Sequence, residues 1–161
     1  MFEIKNKKIL TLILLFSIFA LFAAYFIQYV LKHQPCNLCL IERMPYFFSV
    51  IIISICLFTK KFEKFSLITL SLIFFSATLI AFYHFGIEQG FIKESLVCDL
   101  NNETNSLTKE TLLNQLKEMP VSCKDVTFKI FGLSLATFNI FINLILGIIT
   151  TKIFLNYEKN R

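Results

Sequence analysis

Residues 9–31 carry no charged side chain, and as a helix these roughly 23 residues reach about 34 Å, enough to cross a hydrocarbon core. A soluble helix buries only one face and rarely sustains such a run, so lipid is the expected solvent. Similar apolar stretches occur at about 65–85 and 128–154. A shorter one, 44–58, spans only about 22 Å as a helix, too little for a core about 30 Å thick. Its helix is therefore expected to start near Leu38, taking Glu42 and Arg43 into its first turns, with Pro45 kinking it near the entrance. Composition agrees: 56% of residues are hydrophobic, 17% are charged and the mean hydropathy is +0.68. The expected fold is an all-α membrane protein, a single domain forming an up-down bundle of four transmembrane helices. Its spans are about 9–31, 38–59, 65–85 and 128–154, and its outer loops about 32–38 and 86–127.

Lys5, Lys7 and Lys8 ahead of an apolar run also describe a secretory signal. A signal's apolar region, however, spans about 7–15 residues and ends in an A-x-A-like site. Ala20, Ala23 and Ala24 lack that spacing, so a retained helix is expected. The net charge of +5 does not form a nucleic-acid patch. Its lysines cluster beside the apolar runs: Lys5, Lys7 and Lys8, then Lys60, Lys61 and Lys64, then Lys152 and Lys159 with Arg161. Those three segments share one side of a four-span protein, which the positive-inside rule makes cytoplasmic. Both termini then lie inside, and both remaining loops outside. Within the long loop, Leu107 and Thr108 read as a staple and N-cap for a short amphipathic helix that Pro120 stops.

Four of the five cysteines fall in those outer loops: Cys36 and Cys39, then Cys98 and Cys123. Cys56, in mid-span, reads as a small buried apolar residue. C-x-x-C is either half of a zinc site or a redox dithiol. A four-cysteine zinc site usually has two tight pairs, whereas Cys98 and Cys123 are about 25 residues apart. A purely structural cystine rarely uses the strained C-x-x-C ring, and such lability points to thiol–disulfide chemistry. On a continuous helix Arg43 lies four residues after Cys39 on the same face, where a guanidinium favours a thiolate. Arg43 also fits interfacial snorkelling. His84, at the outer end of span three, is placed to relay a proton or to sit in the interfacial belt with Tyr83; His33 is expected to be solvated. With no haem, flavin or iron–sulfur motif, a lipid-soluble quinone is the remaining acceptor for a membrane dithiol.

Gln34-Pro-Cys-Asn-Leu-Cys-Leu-Ile-Glu-Arg43 resembles the P-C-x-L-C-x-x-[EQ]-R signature of the disulfide bond formation protein B (DsbB) family. The four spans, the two separated cysteines of the long loop and Gly132-Leu-Ser-Leu-Ala136 are also similar to that family. The resemblance implies a thiol:quinone oxidoreductase of the bacterial inner membrane that reoxidises a thioredoxin-fold oxidase, DsbA. It implies that Cys98 forms the mixed disulfide with that partner and that Cys123 is its mate. Electrons then pass to Cys36–Cys39, with Cys39 as the thiolate facing ubiquinone or menaquinone and Arg43 and His84 beside it. The chain has no Trp, and Phe138 stands where members often carry one. Vitamin K epoxide reductase-like enzymes also join paired cysteines to a quinone, but their C-x-x-C follows the loop cysteines, whereas here it precedes them. A membrane protein with purely structural disulfides is the non-enzymatic alternative.

Overall fold

A computed structural model of the chain describes residues 2–59, 63–93, 123–124, 129–130 and 133–159. The elements are α1 (Phe2–Tyr29), α2 (Asn37–Ile41), α3 (Met44–Phe58), α4 (Glu63–Glu88), β1 (Lys129–Ile130), β2 (Leu133–Ser134) and α5 (Leu135–Lys159). Among the described residues, four segments are long and apolar enough to cross a membrane: Lys7–Tyr29, Asn37–Phe58, Glu63–Glu88 and Leu135–Lys159. Their large apolar side chains turn outward: Phe22 is 66% and Leu79 71% exposed. In water that surface would be costly; against lipid tails it costs nothing.

Packing inside the bundle follows the logic of a membrane interior. Ile13, Ile53, Leu70, Phe74 and Ile153 form its centre, with Cys56 buried among them as the sequence led us to expect. Polar pairs tie the helices where no water competes. Ser49 Oγ donates to Ser17 Oγ at 3.0 Å between α3 and α1, and Ser71 Oγ meets Thr151 Oγ1 at 2.7 Å between α4 and α5. Gly147 lets α5 approach α4, since a Cβ there would lie 3.4 Å from the Phe75 ring.

Three boundaries differ from the sequence expectation, each for a local reason. Span two is not one helix: it breaks at Glu42 and Arg43, between α2 and α3. Pro45 has no N–H to offer the Ile41 carbonyl, and the Arg43 N–H bonds back to Leu40 O at 3.2 Å, a tightened i→i−3 turn. Span four starts at Leu135 rather than near 128. Lys129–Ile130 and Leu133–Ser134 form a two-residue antiparallel ladder, Lys129 opposite Ser134 and Ile130 opposite Leu133. Ser134 then caps the helix, its Oγ accepting from the Thr137 N–H at 3.3 Å. Apolar content continues upstream of that cap, so hydropathy alone overruns it.

Span three ends later than 85. Phe91 N–H bonds Gly86 O at 2.9 Å and Gly90 N–H bonds Ile87 O at 3.0 Å, a Schellman closure with Gly90 at φ 77°. The added turn places Glu88 one turn beyond His84. The amphipathic helix expected over 108–119 lies outside the described residues. Gly90→Ala forces a Cβ into the left-handed region at a cost of about 1 kcal/mol. It should lower the detergent-solubilised protein's Tm by about 2–4 °C in a thermal melt; an unchanged Tm would argue against this closure.

Candidate functional site

At the end of the bundle where α4 stops, the C-x-x-C motif folds as a single helical turn. Cys36 is the N-cap of α2, with φ −70° and ψ 166°, and its Sγ accepts from the Cys39 N–H at 3.2 Å. It fills the place that Ser or Asp usually takes, satisfying an orphan donor of the first turn. The same geometry brings Cys39 Sγ to 2.6 Å from Cys36 Sγ.

His84 of α4 reaches across to this turn, its Nε2 lying 3.5 Å from Cys36 Sγ. Its Nδ1–H donates to Glu42 Oε1 at 2.7 Å, and both side chains are almost fully buried. Asn139 of α5 donates from Nδ2 to Glu42 Oε2 at 2.5 Å, and Tyr46 Oη donates to Asn139 Oδ1 at 2.9 Å. One connected polar chain thus runs Cys36–His84–Glu42–Asn139–Tyr46, through the helix break, α4, α5 and α3. Glu88 stands on the other side of the imidazole, its Oε1 3.7 Å from His84 Nε2.

Arg43, expected on the same face as Cys39, makes its contacts with another helix. The break in the helix directs it to α1, where Nη1 donates to Gln28 Oε1 at 2.5 Å and the guanidinium covers the Tyr25 ring at 5.3 Å. The charged partner of the sulfur pair is His84 instead. Cys123 is disulfide-bonded and buried in one cluster with Cys36, Leu38 and Ile87. Cys98 lies outside the described residues, and so does the pairing that the resemblance implies for it.

Cys36, Cys39, Arg43, His84 and Cys123 all line one cavity of about 380 Å³, together with His33, Glu42 and Glu88. Its walls are apolar, built by Phe16, Phe19 and Ile27 of α1 and by Phe138 and Ile142 of α5. Ala20, Ala23 and Ala24 of α1 contribute small side chains to the same wall. The sequence reading had missed Glu42, Glu88, Asn139 and Tyr46 as members of the site. The signal was present for the two acids, because a carboxylate within an apolar span is expected to have a functional partner.

Cys36 sits just outside span two, and its thiol is lowered from the ordinary 9.0 to about 5. The hydrogen bond from the Cys39 thiol is the main cause; the contact with His84 and its charge add to it, and burial opposes both. In the reduced protein Cys36 is therefore a thiolate above about pH 5. Iodoacetamide labelling of Cys36, followed by peptide mass analysis across pH, should show a midpoint near that value, moved upward in His84→Ala. A midpoint near that of an ordinary thiol would contradict this electrostatic picture.

A membrane-spanning bundle with a thiol pair at one end, and a third, disulfide-bonded cysteine packed in the cluster of Cys36, defines a multi-pass membrane protein of thiol chemistry. The family model for disulfide bond formation protein DsbB matches residues 6–153, and this chain belongs to that family. It is similar to the uncharacterized protein RP370 of Rickettsia prowazekii (strain Madrid E), at 30% identity over 156 residues that cover 95% of this chain and 90% of that one. The protein is a disulfide bond formation protein of the membrane.

Proposed function

We propose that this protein is a disulfide-generating thiol:quinone oxidoreductase that reoxidises a DsbA-like thioredoxin-fold partner. The observation that carries the reading is the packing of Cys123 into the buried cluster of Cys36, with both opening on the cavity that holds Cys39, Arg43 and His84. Exchange needs a thiolate within reach of a disulfide sulfur, and the burial of Cys36 and Cys123 in one cluster supports that reading.

The partner's thiolate attacks Cys98 of a Cys98–Cys123 disulfide and releases Cys123. The partner's second thiol then resolves that bond, leaving the partner oxidised and Cys98 and Cys123 reduced. Cys123 next attacks Cys36 of the closed Cys36–Cys39 pair and releases Cys39 toward the cavity. Cys98 resolves the Cys36–Cys123 bond, which restores its own disulfide and leaves Cys36 and Cys39 as the dithiol. Two electrons and two protons have moved from the partner to the C-x-x-C turn.

The cavity suits a quinone: apolar walls accept a prenyl tail and ring, while polar groups converge at the end next to the sulfurs. A bound quinone supplies the two-electron, two-proton acceptor. Arg43 spends one N–H on Gln28, and its guanidinium has further donors for a ring oxygen. His84, oriented by Glu42 through Nδ1, presents Nε2 to Cys36 Sγ, where it can hold or relay a proton beside the thiolate. The lysine bias supports a topology with both termini in the cytoplasm of a bacterial inner membrane. The cysteine loops then face the oxidising side, where disulfides persist.

The test is anaerobic quinone reduction by the purified protein, given a reduced thioredoxin-fold donor and followed by quinone absorbance. Wild type should consume oxidised quinone. Cys36→Ser and Cys39→Ser should abolish this, and Cys98→Ser should block the donor while leaving the C-x-x-C dithiol reactive toward quinone. Intact loop cystines with no reduction of ubiquinone or menaquinone would overturn the reading in favour of structural disulfides.

A further inference from the structure

We propose that the reduced form of this site is also a metal site, binding one Zn²⁺ through Cys36 Sγ, Cys39 Sγ and His84 Nε2, with Glu88 closing the fourth position. These sulfur and nitrogen atoms lie within 4.8 Å of one another. The ligand set differs from the four-cysteine site that the sequence spacing disfavours. It joins one cysteine pair to a histidine and a carboxylate from another helix.

The distances match the coordination geometry. Zn–S bonds of about 2.3 Å and Zn–N bonds of about 2.0–2.1 Å in a tetrahedron place S and N about 3.6 Å apart, and N and a carboxylate O about 3.4 Å apart. Cys36 Sγ and His84 Nε2 are 3.5 Å apart, and His84 Nε2 and Glu88 Oε1 are 3.7 Å apart. The sulfurs must part from 2.6 Å to about the 3.8 Å that two Zn–S bonds subtend, and Glu88, which lies outside the 4.8 Å group, must turn toward them to close the fourth position. That parting of the sulfurs is open to a dithiol and closed to a disulfide, so the site exists in one oxidation state only.

Two further observations point to a cation. His84 turns Nε2 to the sulfurs because Nδ1–H is committed to Glu42, which Asn139 holds in turn. This carboxylate–histidine arrangement is the one that fixes the tautomer of metal-binding imidazoles. Glu88 has a side chain only 7% exposed, and its Oε2 has no hydrogen-bond partner among the described residues. A buried carboxylate oxygen left without a partner is costly, and a cation between it and the thiolates would satisfy it.

Binding releases the Cys39 thiol proton to solvent, with any proton on His84 Nε2, and moves no electrons. The ion holds both sulfurs as thiolates at a separation where no S–S bond forms, so it arrests the C-x-x-C turn in its reduced state. The inference rests on the placed side chains and not on the identity of the electron acceptor.

The experiment titrates Co²⁺ into the full-length protein in detergent, anaerobically, after reduction with a phosphine, and then displaces it with Zn²⁺. One equivalent should give thiolate-to-cobalt charge-transfer and tetrahedral d–d absorption in reduced wild type. Air-oxidised protein should give neither. The bands should persist in Cys98→Ser, vanish in Cys36→Ser and Cys39→Ser, and weaken in Glu88→Gln. Glu42→Gln should lower affinity about 10–100-fold, the usual effect of losing the carboxylate behind a ligand histidine. The proposal is overturned by equal binding in reduced and oxidised wild type, a comparison that needs no variant to fold. It is equally overturned by the absence of bands in reduced wild type, or by bands that survive Cys39→Ser and disappear with Cys98→Ser.

Discussion

The buried contact between His84 and Glu42 joins three pieces of the bundle at one point. His84 comes from α4, Glu42 from the break between α2 and α3, and Asn139 of α5 holds the second oxygen of the same carboxylate. Ionisable groups at this depth are expensive and persist only when each finds a partner. Removing one member leaves the other buried and uncompensated, at about 3–5 kcal/mol. The contact therefore does more than add stability. It aims the imidazole at Cys36, and the remaining geometry of the site follows from that direction.

The interrupted helix is what makes the contact possible. A continuous span two would carry Glu42 and Arg43 on its regular surface at successive 100° steps. Pro45 breaks the ladder, so Glu42 turns into the bundle while Arg43 turns toward Gln28 and Tyr25 of α1. One residue thus serves the sulfur pair through His84, and its neighbour serves the apolar cavity. The Schellman closure at Gly90 has a similar effect on α4, keeping Glu88 helical and one turn from His84. Both features lie in backbone details, yet they decide which charges face the sulfurs.

Much of this was legible in the sequence. The uncharged run over 9–31 and the apolar stretches after it required four membrane helices, and the C-x-x-C with its flanking Pro, Glu and Arg indicated the chemistry and the family. The i, i+4 relation of Cys39 and Arg43 assumed one continuous helix, whereas the span is divided at Glu42 and Arg43, and Arg43 contacts Gln28 and Tyr25. The start of α5 was overrun because apolar content does not register the Ser134 cap. Glu42 at the break meets His84 of α4 and Asn139 of α5, and no local pattern announces contacts between residues 42 and 97 positions apart. The burial of Cys123 in one cluster with Cys36 is likewise a tertiary feature, which spacing alone does not encode.

The central claim is that Cys123 and Cys36 are the sulfurs through which the two cysteine pairs communicate. A Cys39→Ser/Cys98→Ser protein removes the mate of each, leaving Cys36, Cys123 and the core residue Cys56. Mild oxidation followed by non-reducing peptide mapping reads which sulfurs join. The account predicts a single intramolecular Cys36–Cys123 disulfide, formed in high yield. Free Cys36 and Cys123 under those conditions, or a bond from either to Cys56, would contradict it.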